Sequence, residues 1–261
     1  MNSTTSLDFQ GQKVMVTGAS QGIGYGVARG FAMLGATVYI LALGDDVHEA
    51  AAQLTKESGQ QVSGWKCDIT DTARVNEVFN ELGPLDVFIA NAGLEDLTPI
   101  TDQSPAAEAV FRRVIDINIV GTYLTTRAAI PLMRKGGRII ITASIWGTSA
   151  VPELSAYVAS KHANIGFMRS IAQELGPKGI RVNAVCPGWV MTGPALNTLK
   201  EMAREKSLSE SECEKMISDE QSLPGIQSVE DVVLTYIYLA SSLAVNITGQ
   251  KINTDRGAVQ G

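Results

Sequence analysis

The strongest constraint on this chain is its rhythm. Short, continuously apolar, β-branched runs fall at residues 13–17, 37–43, 61–67, 85–90, 138–142, 180–185 and 250–254. Between them, residues 22–34, 47–58, 72–82, 155–175 and 229–240 carry apolar side chains at helical spacing, and 106–133 reads as one long helix or two. A strand that is apolar at nearly every position is covered on both faces, which is the habit of a parallel sheet. Strict alternation with helices then calls for right-handed crossovers. The expected fold is α/β: a Rossmann-type, doubly wound, mostly parallel seven-stranded sheet with helices on both faces. One domain over residues 1–261 is the economical expectation.

One stretch breaks the rhythm. Residues 188–226 are polar and charge-dense, with sparse apolar positions such as Leu196, Leu199, Met202, Leu208, Met216 and Ile217. They read either as a surface helical excursion or as a lid over a substrate. Elsewhere, composition narrows the function classes. A net charge of −6 with mixed signs offers no basic stripe, so nucleic acid is not an expected partner. Three well-separated cysteines, Cys67, Cys186 and Cys213, suit free thiols in a reducing compartment, not disulfides or a zinc site, and no metal is expected. Residues 1–9 are polar and lack a leader pattern, and no apolar run reaches membrane-spanning length. The expectation is a cytoplasmic protein with no membrane partner.

Two local patterns carry chemistry. Thr17-Gly18-Ala19-Ser20-Gln21-Gly22-Ile23-Gly24 joins the first strand to the first helix. Glycines there allow a sharp turn and let a pyrophosphate approach the backbone at the positive end of a helix. The plain alternative is a tight turn. Further on, Tyr157 and Lys161 are four residues apart in a helical stretch, so they point to one place. A phenol titrates near 10, and an ammonium beside its oxygen lowers that value, making the pair a candidate proton donor and acceptor. A chance Tyr-x-x-x-Lys is common, so independent features must support it.

These features appear together in one order, and the chain resembles the short-chain dehydrogenase/reductase family over nearly its whole length. Thr17 to Gly24 matches that family's cofactor loop. Asn91-Ala92-Gly93 matches its motif after the fourth strand. Asn118, Ser144, Tyr157 and Lys161 match its catalytic tetrad in order and spacing. Pro187-Gly188-Trp189-Val190-Met191-Thr192 matches the segment beside the nicotinamide, and Thr248-Gly249-Gln250 the run into the last strand. The resemblance implies an NAD(P)-dependent oxidoreductase exchanging a hydride with a secondary alcohol or ketone. Tyr157 would be the general acid/base. Lys161 would lower the Tyr157 pKa and hold the nicotinamide ribose. Ser144 would hydrogen-bond the reacting oxygen, and Asn118 would position a water linking Lys161 to solvent.

The resemblance also implies cofactor contacts from Gly18, Ser20, Gln21, Gly22, Ile23 and Gly24, from Asp68 and Ile69 at the adenine, and from Asn91, Ala92 and Gly93. Tyr157, Lys161, Pro187, Gly188, Val190 and Thr192 would complete the set. Asp68 has a plain alternative as a turn or cap residue, and Asn91 as a brace within the sheet. The acid that NAD enzymes carry at the end of the second strand falls on Ala42, so it is missing. No cation lies at residues 42–47 either, and Asp45 and Asp46 would repel a 2′-phosphate, which favours NAD over NADP. The substrate would meet Ser144, Trp146, Tyr157 and Trp189, in a pocket with Leu94, Glu95, Ile145 and parts of 191–217; Glu95 could bind a hydroxyl. Alternatives are an NADPH-dependent 3-oxoacyl-type ketone reductase and a non-catalytic dinucleotide-binding regulator. Family members are commonly homotetramers or homodimers. His48 and His162 read as ordinary packing residues, and Arg256 has no evident role.

Overall fold

A computed structural model describes residues 7–260. Most of the polar opening stretch read above for a leader, residues 1–6, lies outside the described residues, as does residue 261. Seven strands form one sheet: β1 (Lys13–Thr17), β2 (Thr37–Ala42), β3 (Val62–Lys66), β4 (Leu85–Ala90), β5 (Met133–Thr142), β6 (Arg181–Pro187) and β7 (Lys251–Thr254). Their order is β3-β2-β1-β4-β5-β6-β7, and every pairing is parallel. Successive side chains on a strand face opposite ways. Val14, Val16, Val38, Ile40, Val87 and Ile89 therefore enter one core, with α1 (Gly22–Met33), α2 (Asp46–Ser58) and α9 (Val229–Ala240). Met15, Leu41, Phe88, Ile139 and Ile141 enter the other, beneath α3 (Thr72–Glu81), α5 (Thr122–Ala129) and α6 (Ser155–Leu175). Double coverage is why the strands read as unbroken apolar runs.

The first face requires α1 and α9 to lie close. A Cβ on Gly26 would collide with the Val229 side chain, and one on Gly30 would sit 2.7 Å from Val233 Cγ1. The bare backbone of α1 is the surface on which α9 rests.

Chain order reverses between β1 and β4, the switch point where such sheets open a crevice at their carboxyl ends. There the loops after β1 and β4 touch. Gly18 takes φ +64°, and a Cβ on it would lie 2.7 Å from the Ala92 Cα.

Two elements differ from the sequence reading. β5 starts at Met133, five residues before the apolar run, because Met133 pairs with Leu85 before the register shifts at Val87 and Arg138. The helical stretch ahead of it is α4 (Pro105–Ile115), a π-helical segment at Asp116–Gly121, α5, and a 3₁₀ turn at Ile130–Leu132. Asn118 sits in the π-helical segment. The polar region 188–226 forms α7 (Gly193–Lys206) and α8 (Glu210–Asp219). Its two ends meet where Val190 bridges Gln227 and Met191 N donates to the Gln227 carbonyl at 2.9 Å.

Arg256 acquires a role here. At φ +55° it donates to the Pro224 carbonyl at 2.8 Å and approaches Asp231 at 3.5 Å, while its own carbonyl accepts from Leu223 N. It fastens the exit of this polar region to the start of α9.

Gly26→Ala tests the helix contact. Alanine gains about 1 kcal/mol of helix propensity, but overpacking against Val229 costs about 1–3 kcal/mol. Urea unfolding is expected to show a net loss of stability.

Candidate active site

The site is assembled from strand ends. Leaving β4, Asn91 donates its amide nitrogen to the Thr17 and Gly18 carbonyls at 3.0 and 3.1 Å, and its Oδ1 accepts from Thr142 Oγ1 at 3.1 Å. Thr17 Oγ1 accepts from the backbone N–H of both Asn91 and Ala92 at 3.0 Å. Asn91 thus braces β1, β4 and β5 at the mouth of the crevice, the plainer of its two readings. The next residues are held by Asn118, which is fully buried. Its Oδ1 accepts from Leu94 N at 2.7 Å, and its Nδ2 donates to the Leu94 carbonyl at 2.8 Å and to Ser160 Oγ at 2.9 Å. One carboxamide therefore joins the β4 loop, the π-helical segment and α6. The loop is anchored again at Thr98, whose N–H donates to the Glu153 carbonyl at 2.7 Å and whose Oγ1 accepts from Ala156 N at 3.0 Å.

Tyr157 and Lys161 project from the first turns of α6. Lys161 Nζ lies 5.3 Å from the centre of the Tyr157 ring and donates to the Thr142 carbonyl at 3.0 Å. Lys161 is 3% exposed, and burial brings its pKa down to about 8, against the pull of the Glu95 carboxylate. The Tyr157 phenol interacts with the Ser144 hydroxyl and the Glu95 carboxylate. Burial and then Glu95 push it above the ordinary phenol value, with Ser144 working the other way. The sequence expectation of a phenol lowered by Lys161 is corrected: the ammonium is directed to a backbone carbonyl, and burial dominates. Burial likewise raises the Glu95 carboxyl, with Lys161 and Tyr157 opposing, although much of Glu95 remains exposed. Ser144 is buried, and its Oγ accepts from Trp146 N at 3.2 Å.

The family model described as Enoyl-(Acyl carrier protein) reductase, one of the short-chain dehydrogenase/reductase models, matches residues 18–259. The chain belongs to the short-chain dehydrogenase/reductase family. It is 32% identical over 253 residues to D-beta-hydroxybutyrate dehydrogenase of Rhizobium meliloti (strain 1021), covering 93% of this chain and 96% of that one. It is 34% identical over 257 residues to diacetyl reductase [(S)-acetoin forming] of Staphylococcus epidermidis, covering 94% and 97%. The L-sorbose reductase of Gluconobacter frateurii, solved with NADPH and L-sorbose, aligns with a TM-score of 0.90 at 26% identity, over 98% of this chain and 99% of that one. This short-chain dehydrogenase/reductase is an oxidoreductase using a nicotinamide cofactor to exchange hydride with an alcohol or ketone.

The crevice of this dehydrogenase/reductase fits a dinucleotide. Helix α1 begins after Gln21 with no side-chain cap and no acidic residue in its first turn; α2, α5 and α6 also start without a side-chain cap, and α1 is the one of these that follows the glycine loop at the switch point. Its first N–H groups are left to an anion. Gly22 faces Thr192, the cap of α7, at 3.7 Å from a Cβ position, and a Cβ on Gly24 would strike the Gly18 carbonyl and Asn91 Nδ2. Ser20 and Ile23 are half-buried here and Gln21 is exposed. Gly93 packs closely on Asn118 and Lys161: a Cβ there would lie 3.2 Å from Asn118 Oδ1 and 3.4 Å from Lys161 Nζ. At the far end of the crevice, Asp68 Oδ1 closes a turn with the N–H and hydroxyl of Thr70 at 2.9 and 2.7 Å, and the Ile69 side chain is buried against Gly121. Pro187 ends β6, Gly188 packs on Asp255, and Val190 is buried.

Two expectations change with the tertiary structure. Trp189, Met191, Met202 and Ile217 pack against Leu199, Ala203 and Cys213, so these side chains hold the α7–α8 pair together. Beside Ala42, where no cation was read from residues 42–47, the sheet register places Lys66, and its Nζ pairs with Asp45 at 2.7 Å. The cysteines are free and buried, and burial raises Cys67 and Cys186 to about 11, so neither is a thiolate at neutral pH. His162 is exposed and bonds the Val158 carbonyl at 2.9 Å.

Replacing Lys161 tests the cost of burying it. Its folded pKa of about 8 lies below the ordinary 10.5. The folded state therefore binds the proton less well, a penalty full below pH 8 and gone above 10.5. Lys161→Met is expected to raise stability at pH 7 by about 1–3 kcal/mol, with the gain vanishing near pH 10.5 in thermal unfolding scans.

Proposed function

We propose that Tyr157 is the general acid and base of an alcohol dehydrogenase/ketone reductase, with Ser144 and Lys161 beside it and Asn118 as a positioning residue. The observation that carries this is the Tyr157 phenol facing the Ser144 hydroxyl, with the Lys161 ammonium over its ring. The bound nicotinamide supplies or accepts the hydride. In reduction, the half-buried phenol is protonated at neutral pH and delivers its proton to the carbonyl oxygen as negative charge builds there. Ser144 donates a hydrogen bond to that oxygen, which is worth more in the closed site than in water. Lys161 keeps positive charge near the developing anion and holds the nicotinamide ribose. Asn118 acts by fixing the Leu94 backbone and Ser160. Both of its polar atoms are engaged there, which adds a positioning role to the water-holding one that the resemblance implies.

Gly18, Ser20, Gln21, Gly22, Ile23 and Gly24, at the start of α1, would hold the pyrophosphate of the dinucleotide. Asp68 and the backbone of Ile69 would hold the adenine, and Gly93 with Pro187, Gly188, Val190 and Thr192 would hold the nicotinamide. NAD is the preferred cofactor. Asp45 neutralises Lys66, and Asp46 adds a further carboxylate near the position a 2′-phosphate occupies. Residues 188–226 form a lid over Trp146 and the reacting groups, supported by their own small core and joined ends. One catalytic domain spans the chain. Exposed Phe111, Val120 and Tyr123, with Tyr123 edge-on to Phe167, support assembly as a homotetramer or homodimer through the α4, α5 and α6 surface. Among the described residues no helix is long and apolar enough to cross a membrane, and the protein works in the cytoplasm.

Tyr157→Phe is expected to lower kcat/KM by about 10²–10⁴, while dinucleotide binding followed by calorimetry stays unchanged; turnover near the original rate overturns the assignment. In steady-state assays kcat/KM is expected to be higher with NAD(H) than with NADP(H). Asp45→Asn, by releasing Lys66, is expected to raise the NADP(H) value several-fold.

A further inference from the structure

We infer that Glu95 makes this site selective for a neutral ketone carrying a hydroxyl on the carbon beside the reacting carbon, or for the matching vicinal diol. The same carboxylate turns away substrates with a carboxylate at that place. This rests on Tyr157 being the proton donor, as proposed above.

Glu95 is placed with unusual firmness for a loop residue. It follows Leu94, whose N–H and carbonyl are both held by Asn118 at 2.7 and 2.8 Å. Three residues later, Thr98 is tied to Glu153, Ser155 and Ala156 at 2.7, 2.8 and 3.0 Å. A segment anchored at both ends, over a buried asparagine and the start of α6, holds Glu95 in a fixed direction, while its other carboxylate, Asp96, accepts from the Leu97 N–H at 2.8 Å. That direction is toward the reacting groups, because the Glu95 carboxylate interacts with the Tyr157 phenol and lies in the field of Lys161. Glu95 also keeps an exposed face, so a substrate entering the cleft can reach it.

The hydrogen-bond inventory then fixes what the substrate must bring. A phenol has one hydrogen to donate, and an ionised carboxylate only accepts. When the Tyr157 hydrogen turns to the reacting oxygen, Glu95 loses that donor. Lys161 gives one of its three N–H groups to the Thr142 carbonyl and acts on Glu95 through its charge. A substrate hydroxyl supplies the lost donor. The reacting oxygen then lies about 2.7–3.0 Å from the phenol oxygen that protonates it, with Glu95 beside the pair to accept from the substrate hydroxyl. A hydroxyl one carbon away from the reacting carbon closes a ring of four oxygens through Glu95. A carboxylate there brings no donor and meets a like charge.

The test compares three ketones of similar size: hydroxyacetone, butanone and pyruvate. The full-length wild type, Glu95→Ala and Glu95→Gln are assayed as kcat/KM in the reductive direction with either reduced cofactor, alongside Tyr157→Phe. The wild type is expected to favour hydroxyacetone over butanone by about tenfold or more, with pyruvate poorest. Glu95→Ala is expected to bring the hydroxyacetone-to-butanone ratio close to one. Glu95→Gln, which keeps an accepting oxygen without the charge, is expected to retain most of that ratio and to raise pyruvate relative to butanone by about tenfold. Ratios are compared because general damage to the fold lowers all three substrates together. Ratios unmoved by either variant, a wild type preferring pyruvate, or a wild type inactive on hydroxyacetone each overturns the assignment of Glu95. Turnover surviving in Tyr157→Phe instead overturns the acid–base reading, whatever the ratios do.

Discussion

The carboxamide of Asn118 is the contact on which the rest of the site depends. It is fully buried, and both of its polar atoms are satisfied by groups from other elements, two on Leu94 and one on Ser160. Each such bond contributes about 1 kcal/mol net, but leaving one of these buried partners unpaired costs about 1–3 kcal/mol. The arrangement is therefore all or nothing. Helical residues normally satisfy their own backbone, and the π-helical segment at Asp116–Gly121 displaces Asn118 from a regular α-helical path. The irregular turn and the buried amide together fix where the β4 loop ends and where α6 starts.

Around that fixed point the protein holds groups in states they would not choose in water. Lys161 is almost wholly buried and donates to the Thr142 backbone carbonyl, and the Tyr157 phenol is driven away from ionisation. Both are costs to folding, met by the two apolar cores on either side of the sheet. The return is chemical. A phenol that keeps its hydrogen at neutral pH suits protonation of a carbonyl, and an ammonium near its ionisation point responds to charge that appears beside it.

The same division between structural economy and function is seen at the helix ends. Five of the described helices begin with a side chain that satisfies their first N–H groups; α1, like α2, α5 and α6, does not. The uncapped start of α1 lies at the switch point, against the Gly18–Ala92 contact. At the opposite side of the crevice the α7–α8 region is built as a unit, with its own apolar contacts, a bridge joining its ends, and Arg256 fastening its exit to α9. Arg256 acts only through residues that come together in the folded chain, so inspection of its neighbours in sequence gave it no role.

The linear chain by itself determined the sheet, the helices on both faces and the order of the motifs. Hydrophobic periodicity is local, and a strand buried on both sides declares itself residue by residue. Gly18, Tyr157 and Lys161 stood out through local spacing, whereas Asn118 and Ser144 were singled out only by the resemblance to the family. Direction and environment were not legible in the linear chain. That Lys161 aims at Thr142, that Glu95 sits against the phenol, that Lys66 stands beside Ala42 to pair with Asp45, and that Trp189 serves the lid's own core all depend on residues far apart in the chain. The sign of the Tyr157 shift depends on them too. Electrostatics weighs burial against every nearby charge at once, and only the tertiary structure brings those charges together.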